Sequence, residues 1–152
     1  MTASGTTSGT PGAGVPDRLG GLVAADVMTG PVVSVDTSAA VSDAIRLMRT
    51  HGVRHLPVVE DGRFLGLVDD RLIAHALLTA VGPGAPEDQP VSAATMHYVP
   101  QAAPTTPMPR VANLLRHSRT DAVVVVDPAD RLLGIITTVD VVSAVAHTGP
   151  TG

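Results

Sequence analysis

The residues best suited to chemistry are a hydroxyl and a carboxylate three positions apart, Thr137 and Asp140. They follow an apolar segment that ends at Ile136. A carboxylate accepts hydrogen bonds from hydroxyl groups, while a threonine hydroxyl and the free N–H groups of a helix start can meet an anion. The same spacing is typical of a helix cap, in which Thr137 would bond an N–H and Asp140 would favour the helix dipole. The two roles are compatible, and both stay open.

The segment before this pair is the second of two copies. Residues 55–68 recur as residues 122–136, with an offset of 67 or 68 positions. Only the second copy ends in the hydroxyl and carboxylate, because Asp69 and Leu72 stand at the matching positions of the first. Leu72 cannot accept a hydrogen bond, and Asp69 is predicted to be a helix N-cap. We therefore expect the two copies to differ in what they bind.

Other patterns that carry chemistry do not occur in the sequence. His51 and His55 are four residues apart, but Gly52 and the strand after it break helical spacing, and there is no HExxH or Cys/His cluster. Neither a G-x-S-x-G elbow nor a glycine-rich phosphate loop is present. We predict no metal site and no catalytic residue, so an enzyme is the least supported class.

Composition excludes several kinds of partner. The formal charge is −4, and one Tyr with no Trp argues against stacking on nucleic-acid bases. The sequence has no run of 18 apolar residues, and its N-terminus lacks the basic and apolar regions of a secretory signal. Cysteine is absent, which fits a reducing compartment. We predict a cytoplasmic protein that binds neither nucleic acid nor a membrane.

Each copy has the same predicted order of helix, strand, strand and helix. Apolar residues at i, i+3, i+4 and i+7 predict the first helix, and short β-branched segments between turns predict buried strands. The predicted helix faces are Val41, Ala44, Ile45 and Met48, and Met108, Val111, Ala112 and Leu115. The expected caps are Thr37 or Ser38, and Thr106 with Pro107 at the first helical position. The closing helices are expected to bury Ile73, Ala76, Leu77 and Ala80, and Val142, Val145 and Ala146.

Segments rich in small residues set the predicted boundaries. Residues 1–20 are almost uncharged and without bulk, which predicts a flexible tail. Residues 82–90 are rich in Gly and Pro and predict a linker. The repeats are then 21–81 and 91–148. Two copies are too few for a solenoid array, so a pseudo-symmetric pair is expected.

These residues together resemble the cystathionine-β-synthase (CBS) domain. The matching segments are residues 26–29, 51–59 and 66–68 in the first copy, and 94–97, 123–126 and 134–140 in the second. The resemblance covers roughly residues 22–147. It implies an α/β (α+β) fold of two CBS repeats, each a small mixed sheet with two helices, packed as a pair called a Bateman module. Such pairs are regulatory, usually dimerise, and bind adenosine-containing ligands such as AMP, ATP or S-adenosylmethionine between the copies.

The resemblance also implies which residues bind. The family's ribose signature is complete only at residues 134–140. There Asp140 would accept from the ribose hydroxyls, Thr137 would meet phosphate, and Ile135 would form an apolar wall. By analogy the base would lie against Thr29, Val32, Val33 and Val53 of the other copy, and Arg54 and His55 would supply positive charge. Asp121 stands where relatives often carry a basic residue, which predicts a ligand with few phosphates or none. The site closed by Asp69 and Leu72 is predicted to be empty or specialised.

Two functions follow as hypotheses. The first is a free-standing, non-catalytic sensor of AMP, ADP, ATP or S-adenosylmethionine, with no required cofactor and with an unidentified regulated protein as partner. The second is a ligand-free module for dimerisation or partner docking. A homodimer is expected through small residues on the closing helices, and ordinary packing within the pair is the alternative. These residues are Ala74, Ala76, Ala80, Ala144 and Ala146.

Overall fold

The structure is a computed structural model that describes residues 19–147. Residues 1–18 of the predicted tail lie outside the described residues, and Leu19 is buried. The helices are α1 (Ala24–Val27), α2 (Val41–His51), α3 (Asp70–Thr79), α4 (Met108–Arg116) and α5 (Thr138–His147). The strands are β1 (Val35–Asp36), β2 (His55–Glu60), β3 (Arg63–Asp69), β4 (Gln101–Ala102), β5 (Ala122–Val126) and β6 (Leu132–Thr137). Short 3-10 helices span Pro86–Asp88 and Val91–Ala94.

The two repeats form sheets of the same topology. In the first sheet β1 is parallel to β2, and β3 is antiparallel to β2. In the second, β4, β5 and β6 are arranged in the same way. Even the irregularity is repeated, because the register shifts between Val58 and Val59 and again between Val125 and Val126. The predicted α/β fold of two pseudo-symmetric repeats is confirmed.

The long helices α2 and α4 bury their predicted faces, but their caps differ from the predictions. The N-cap of α2 is Ala40, and not Thr37 or Ser38 as predicted. The backbone N–H of Ala40 donates to the Asp43 carboxylate at 2.9 Å. A carboxylate at the third helical residue thus satisfies an N–H that would otherwise lack a partner.

The start of α4 also differs from the prediction by one residue. Pro107 is the N-cap itself and α4 begins at Met108. The hydroxyl of Thr106 accepts the N–H of Ala103 at 2.9 Å, so it closes the preceding turn and does not cap the helix.

The closing helices pack less deeply than the first helices. Ile73 and Ala76 are buried in α3, as predicted, whereas α5 has no fully buried residue. The predicted face of α5 was partly wrong: Val141, Ala144 and Val145 pack against the core, while Val142 is exposed. The i, i+3, i+4 spacing of buried residues starts at Val141, and the prediction had started it at Val142.

Each repeat donates its opening segment to the other. Val91 and Ala94, at the start of the second repeat, are buried in the first core. Leu19 and Ala24, which precede β1, are buried in the second core with Met108 and other residues. The linker is held in place as well, since Val41 donates to the carbonyl of Gln89. The two repeats therefore fold around each other's N-terminal residues.

The exchanged segments pair with the last strand of each sheet. Thr29 exchanges two backbone hydrogen bonds with Ile135 of β6, with N–O distances of 2.9 and 3.2 Å. Met96 makes the equivalent pair with Leu67 of β3, at 2.8 and 2.9 Å. A third apolar cluster joins the two sheets between these pairs. It contains Phe64, Leu67, Val99, Ala122, Val124, Val126 and Ile135.

Two equivalent glycines make this close approach possible. A Cβ on Gly66 would lie 2.6 Å from the carbonyl oxygen of Met96. A Cβ on Gly134 would lie 2.5 Å from the sulfur of Met28. Both glycines therefore lie where the opening segment of one copy crosses the last strand of the other, and a residue without a Cβ allows the close approach. Across residues 19–147, no helix is both long enough and apolar enough to cross a membrane.

Candidate functional site

Two clefts lie between the repeats at equivalent positions. The first, named here the Asp140 cleft, has a volume of about 590 Å³. It is lined by Thr29, Gly52, Val53, Arg54, His55, Asp69, Asp70, Arg71, Asp121, Ile135, Thr137, Thr138, Val139 and Asp140. The second, the Leu72 cleft, has a volume of about 940 Å³ and is lined by Leu72, residues 95–101 and residues 117–119.

The Asp140 carboxylate is held by hydrogen bonds from both repeats. Its Oδ2 accepts the backbone N–H of Thr137 at 2.8 Å and the Thr137 hydroxyl at 3.1 Å. Its Oδ1 accepts the Thr29 hydroxyl, from the exchanged segment, at 3.3 Å. The cap therefore runs in the direction opposite to the predicted one, because Asp140 accepts and Thr137 donates. A carboxylate has about four acceptor sites, so Oδ1 retains one for a ligand hydroxyl.

Apolar residues form the wall next to this carboxylate. Ile135 precedes Thr137 on β6 and is almost fully buried, and its backbone is fixed by the pair with Thr29. Val53 also lines the cleft, from the loop after α2, where it packs against the first core. The cleft thus combines apolar side chains with a hydrogen-bond acceptor in one opening, as small-molecule sites do.

The positive groups predicted for the phosphate end already have partners. Nε of Arg54 lies 3.1 Å from a carboxylate oxygen of Asp70. Nε2 of His55 lies 2.6 Å from the carbonyl oxygen of Thr120, so this nitrogen carries the proton and donates. His55 therefore ties the two repeats together and Arg54 is partly neutralised.

A second arginine connects the two repeats at the same end of the cleft. The Arg71 guanidinium lies 3.5 Å from Asp69 and 3.8 Å from Asp121, and it donates to the carbonyl of Arg119 at 2.8 Å. Asp69 is buried and accepts the N–H of Leu72 at 2.8 Å, which confirms its predicted role as the N-cap of α3. Four carboxylates and only two guanidinium groups line this cleft.

The structure brings most of the predicted site residues together. Thr29, Val53, Arg54, His55, Ile135, Thr137 and Asp140 all line the Asp140 cleft. Val32 and Val33 do not: Val32 packs between the sheets and Val33 against the first core.

Sequence reasoning missed five residues of the cleft and misplaced a sixth. The missed residues are Gly52, Asp70, Arg71, Thr138 and Val139. Asp69 was expected beside Leu72 in the other site, but it lines the Asp140 cleft. The pseudo-symmetry of the repeats could have predicted these residues, because a two-fold relation brings the ends of β3 and β6 next to each other.

The Leu72 cleft has a different lining. It contains His97, Tyr98, Gln101, His117 and Arg119, and no carboxylate side chain. Leu72 stands where Asp140 stands in the other cleft, so no acceptor for a hydroxyl occupies that position. Within residues 19–147, no three His, Cys, Asp or Glu side chains are grouped so that they could hold a metal ion.

The fold and the paired clefts define a class: two α/β repeats that enclose small-molecule-sized openings between them. The CBS domain family model matches residues 23–79 and 89–147, and the chain belongs to that family. The predicted tandem CBS pair is confirmed.

Among curated proteins, the chain is similar to the CBS domain-containing protein YhcV of Bacillus subtilis, at 29% identity over 73% of this chain and 76% of that protein. It is 28% identical to the A-adding tRNA nucleotidyltransferase of Geobacter sulfurreducens over 77% of its own length, but it spans only 13% of that enzyme. Three other curated relatives are likewise covered only to 19–24% of their length.

Among solved structures, CBSX2 of Arabidopsis thaliana is similar with a TM-score of 0.74, at 26% identity over 84% of this chain and 96% of that one. A structure of CBSX2 in complex with AMP superposes with a TM-score of 0.73, at 25% identity over 84% and 98% of the two chains. A CBS pair with this fold therefore binds an adenosine nucleotide.

Proposed function

We propose that this protein is a non-catalytic sensor that binds an adenosine-containing ligand in the Asp140 cleft. The observation that carries the proposal is the position of Asp140, whose carboxylate lines one cleft with Ile135 of the same repeat and Val53 of the other and has one acceptor site unused. A ribose hydroxyl would donate to the unused acceptor site of this carboxylate, and the base would lie against the apolar side chains. The complex of CBSX2 with AMP supports the assignment.

The charges in the cleft favour a ligand with few phosphates. Of the candidates AMP, ADP, ATP and S-adenosylmethionine, the triphosphate would bring the most negative charge towards Asp69, Asp70 and Asp121. Like charges a few ångströms apart repel, and Arg54 and Arg71 are already shared with these carboxylates. S-Adenosylmethionine, whose sulfonium is positive, and AMP are the candidates that the lining fits best.

Binding would act on the contacts between the repeats. Asp140 accepts from Thr29, and Arg71 reaches from α3 to Asp121 and Arg119, so a ligand there competes for bonds that hold the two repeats together. A ligand shifts an equilibrium between two arrangements only if it binds one of them better. A regulated protein in the cytoplasm is the proposed reader of that shift.

A homodimer through α3 and α5 completes the proposal. Leu78 and Val81 are 86% and 95% exposed, Val142 is 62% exposed, and no residue of α5 is buried. Of the predicted small residues, Ala76 is buried in the first core, while Ala74 and Ala146 are exposed and could meet a second copy. Light scattering should give twice the chain mass, and Leu78→Asp combined with Val142→Asp should give the mass of one chain. A monomer before substitution would refute the dimer.

One observation favours the alternative, a docking module with an empty cleft. The charged side chains of the cleft have partners without a ligand, because both arginines pair with carboxylates and Asp140 accepts three hydrogen bonds. This alternative predicts the same dimer and no response to nucleotides.

A thermal-shift panel of AMP, ADP, ATP, NADH and S-adenosylmethionine separates the two functions. Ligand at one hundred times its Kd should stabilise the fold by about 2.7 kcal/mol, which is a rise of roughly 5–10 °C in Tm for this size. Asp140→Ala should abolish that rise because it removes the ribose acceptor. It should cost the unliganded protein about 1 kcal/mol as a lost cap.

Asp43→Ala is the matched control. Asp43 is also the third residue of its helix and also accepts the N–H of the N-cap residue, but it lines neither cleft. This variant should lose similar stability and keep the ligand response. No rise with any of the ligands would refute the sensor, and a rise that survives Asp140→Ala would refute the assigned site.

A further inference from the structure

The Leu72 cleft is lined by positive and neutral polar groups and by no carboxylate side chain. Its lining contains one guanidinium, two imidazoles, a phenol and an amide, from Arg119, His97, His117, Tyr98 and Gln101. The whole protein is negative, with a formal charge of −4. The lining of this cleft therefore carries a positive charge although the chain as a whole is negative.

Arg119 is the principal cation of the cleft. Its guanidinium makes no hydrogen bond or ion pair with any residue between 19 and 147, although its carbonyl accepts from Arg71. Arg54 and Arg71 in the other cleft are both paired with carboxylates. Five N–H donors of Arg119 are thus available to a ligand, in the planar geometry that suits phosphate oxygens.

The two histidines are fixed by backbone contacts. Nδ1 of His97 lies 3.3 Å from the carbonyl oxygen of Leu65, and Nδ1 of His117 lies 3.0 Å from that of Asn113. Since a carbonyl only accepts, Nδ1 carries the proton in each ring, so the two contacts hold the rings in place and leave Arg119 as the group that can bind an anion.

Leu72 cannot accept hydrogen bonds from ribose hydroxyls. In the Asp140 cleft a carboxylate accepts sugar hydroxyls, whereas the equivalent Leu72 offers none and packs partly against the first core. Tyr98 is 95% exposed, and its hydroxyl has no partner among the described residues. The cleft therefore has a guanidinium that suits an anion, and it lacks the carboxylate that would bind a sugar.

We propose that the Leu72 cleft binds a small phosphate-bearing anion without a ribose requirement, and that Arg119 provides the main contact. The site is separate from the adenosine site, and neither proposal depends on the other. One chain would then respond to two ligands of different chemistry, each bound between the same two repeats.

Pyrophosphate is the probe, because it has neither sugar nor base. Calorimetric titration of the full chain at low ionic strength should show one site per chain, and the affinity should fall when salt screens the charges. Amide resonances of residues 95–99, 101 and 117–119 should shift on binding, while those of residues 137–140 should stay in place. Arg119→Ala should weaken binding by about tenfold to a hundredfold, the effect of losing charge-assisted hydrogen bonds.

Two matched variants make the outcome decisive. Arg116→Ala removes the same charge from the last turn of α4, outside both clefts, and should leave the affinity within about twofold, as is usual for an exposed charge. Asp140→Ala should abolish adenosine binding and leave pyrophosphate binding intact. The proposal is overturned if no binding occurs, if Arg116→Ala weakens it as much as Arg119→Ala, or if the shifts fall on residues 137–140.

Discussion

The Asp140 cleft and the Leu72 cleft are built from equivalent parts of two repeats, yet their charges are opposite. Where one cleft has Thr29 and Gly52, the other has Met96 and Arg119. Where one has Asp140, the other has Leu72. The backbone is shared and the difference lies in side chains at a few positions. A duplicated fold can therefore hold two binding specificities, because strand pairing depends on the backbone and recognition depends on the side chains.

The largest predicted effect concerns the glycines at the back of the two clefts. Gly66→Ala should destabilise the protein by about 3 kcal/mol, because its new Cβ meets the carbonyl oxygen of Met96, which cannot move alone. Gly134→Ala should cost less, about 2 kcal/mol, because its Cβ would meet the sulfur, Cγ and Cβ of Met28 at 2.5, 2.8 and 3.0 Å, and a side chain can change rotamer although its Cβ stays with the backbone. Urea unfolding measures both.

The control for this pair is Gly21→Ala, whose Cβ would meet nothing within 4 Å. It should leave the free energy of unfolding nearly unchanged. Equal losses of unfolding free energy for Gly66→Ala and Gly134→Ala would contradict this prediction. They would mean that the Met28 side chain yields no more easily than the Met96 backbone. Gly134→Ala should also weaken adenosine binding, because Thr29 follows Met28 directly and donates to Asp140.

A smaller effect is expected from Asp121→Asn, which tests the charge of the Asp140 cleft. Asp121 has a positive φ of 55°, and asparagine tolerates that conformation, so the backbone should be preserved. Removing one partly exposed carboxylate should raise the affinity for ATP relative to S-adenosylmethionine by about two- to fivefold. Competition titration of the two ligands measures the ratio. An unchanged ratio would mean that phosphate does not reach this end of the cleft.

Local interactions could be predicted from residue spacing. The apolar faces of α2 and α4, the order of helices and strands, and the cap by Asp69 all involve residues a few positions apart, and the structure confirms them. Mistakes occurred where two neighbouring residues could serve equally well. The starts of α2 and α4 are examples, because a carboxylate three residues inside α2 supplies the bond expected of a hydroxyl at its cap.

The sequence by itself determined that the chain is a tandem CBS pair, and that one copy ends in Thr137 and Asp140 while the other ends in Asp69 and Leu72. Only the tertiary structure decided where those endings lie. The Thr29 hydroxyl meets Asp140 across 111 residues, and Asp69 joins the cleft of the other ending. Such contacts arise from the exchange of opening segments and the packing of two sheets. Residue spacing encodes which face of an element is buried, but not which distant element covers it.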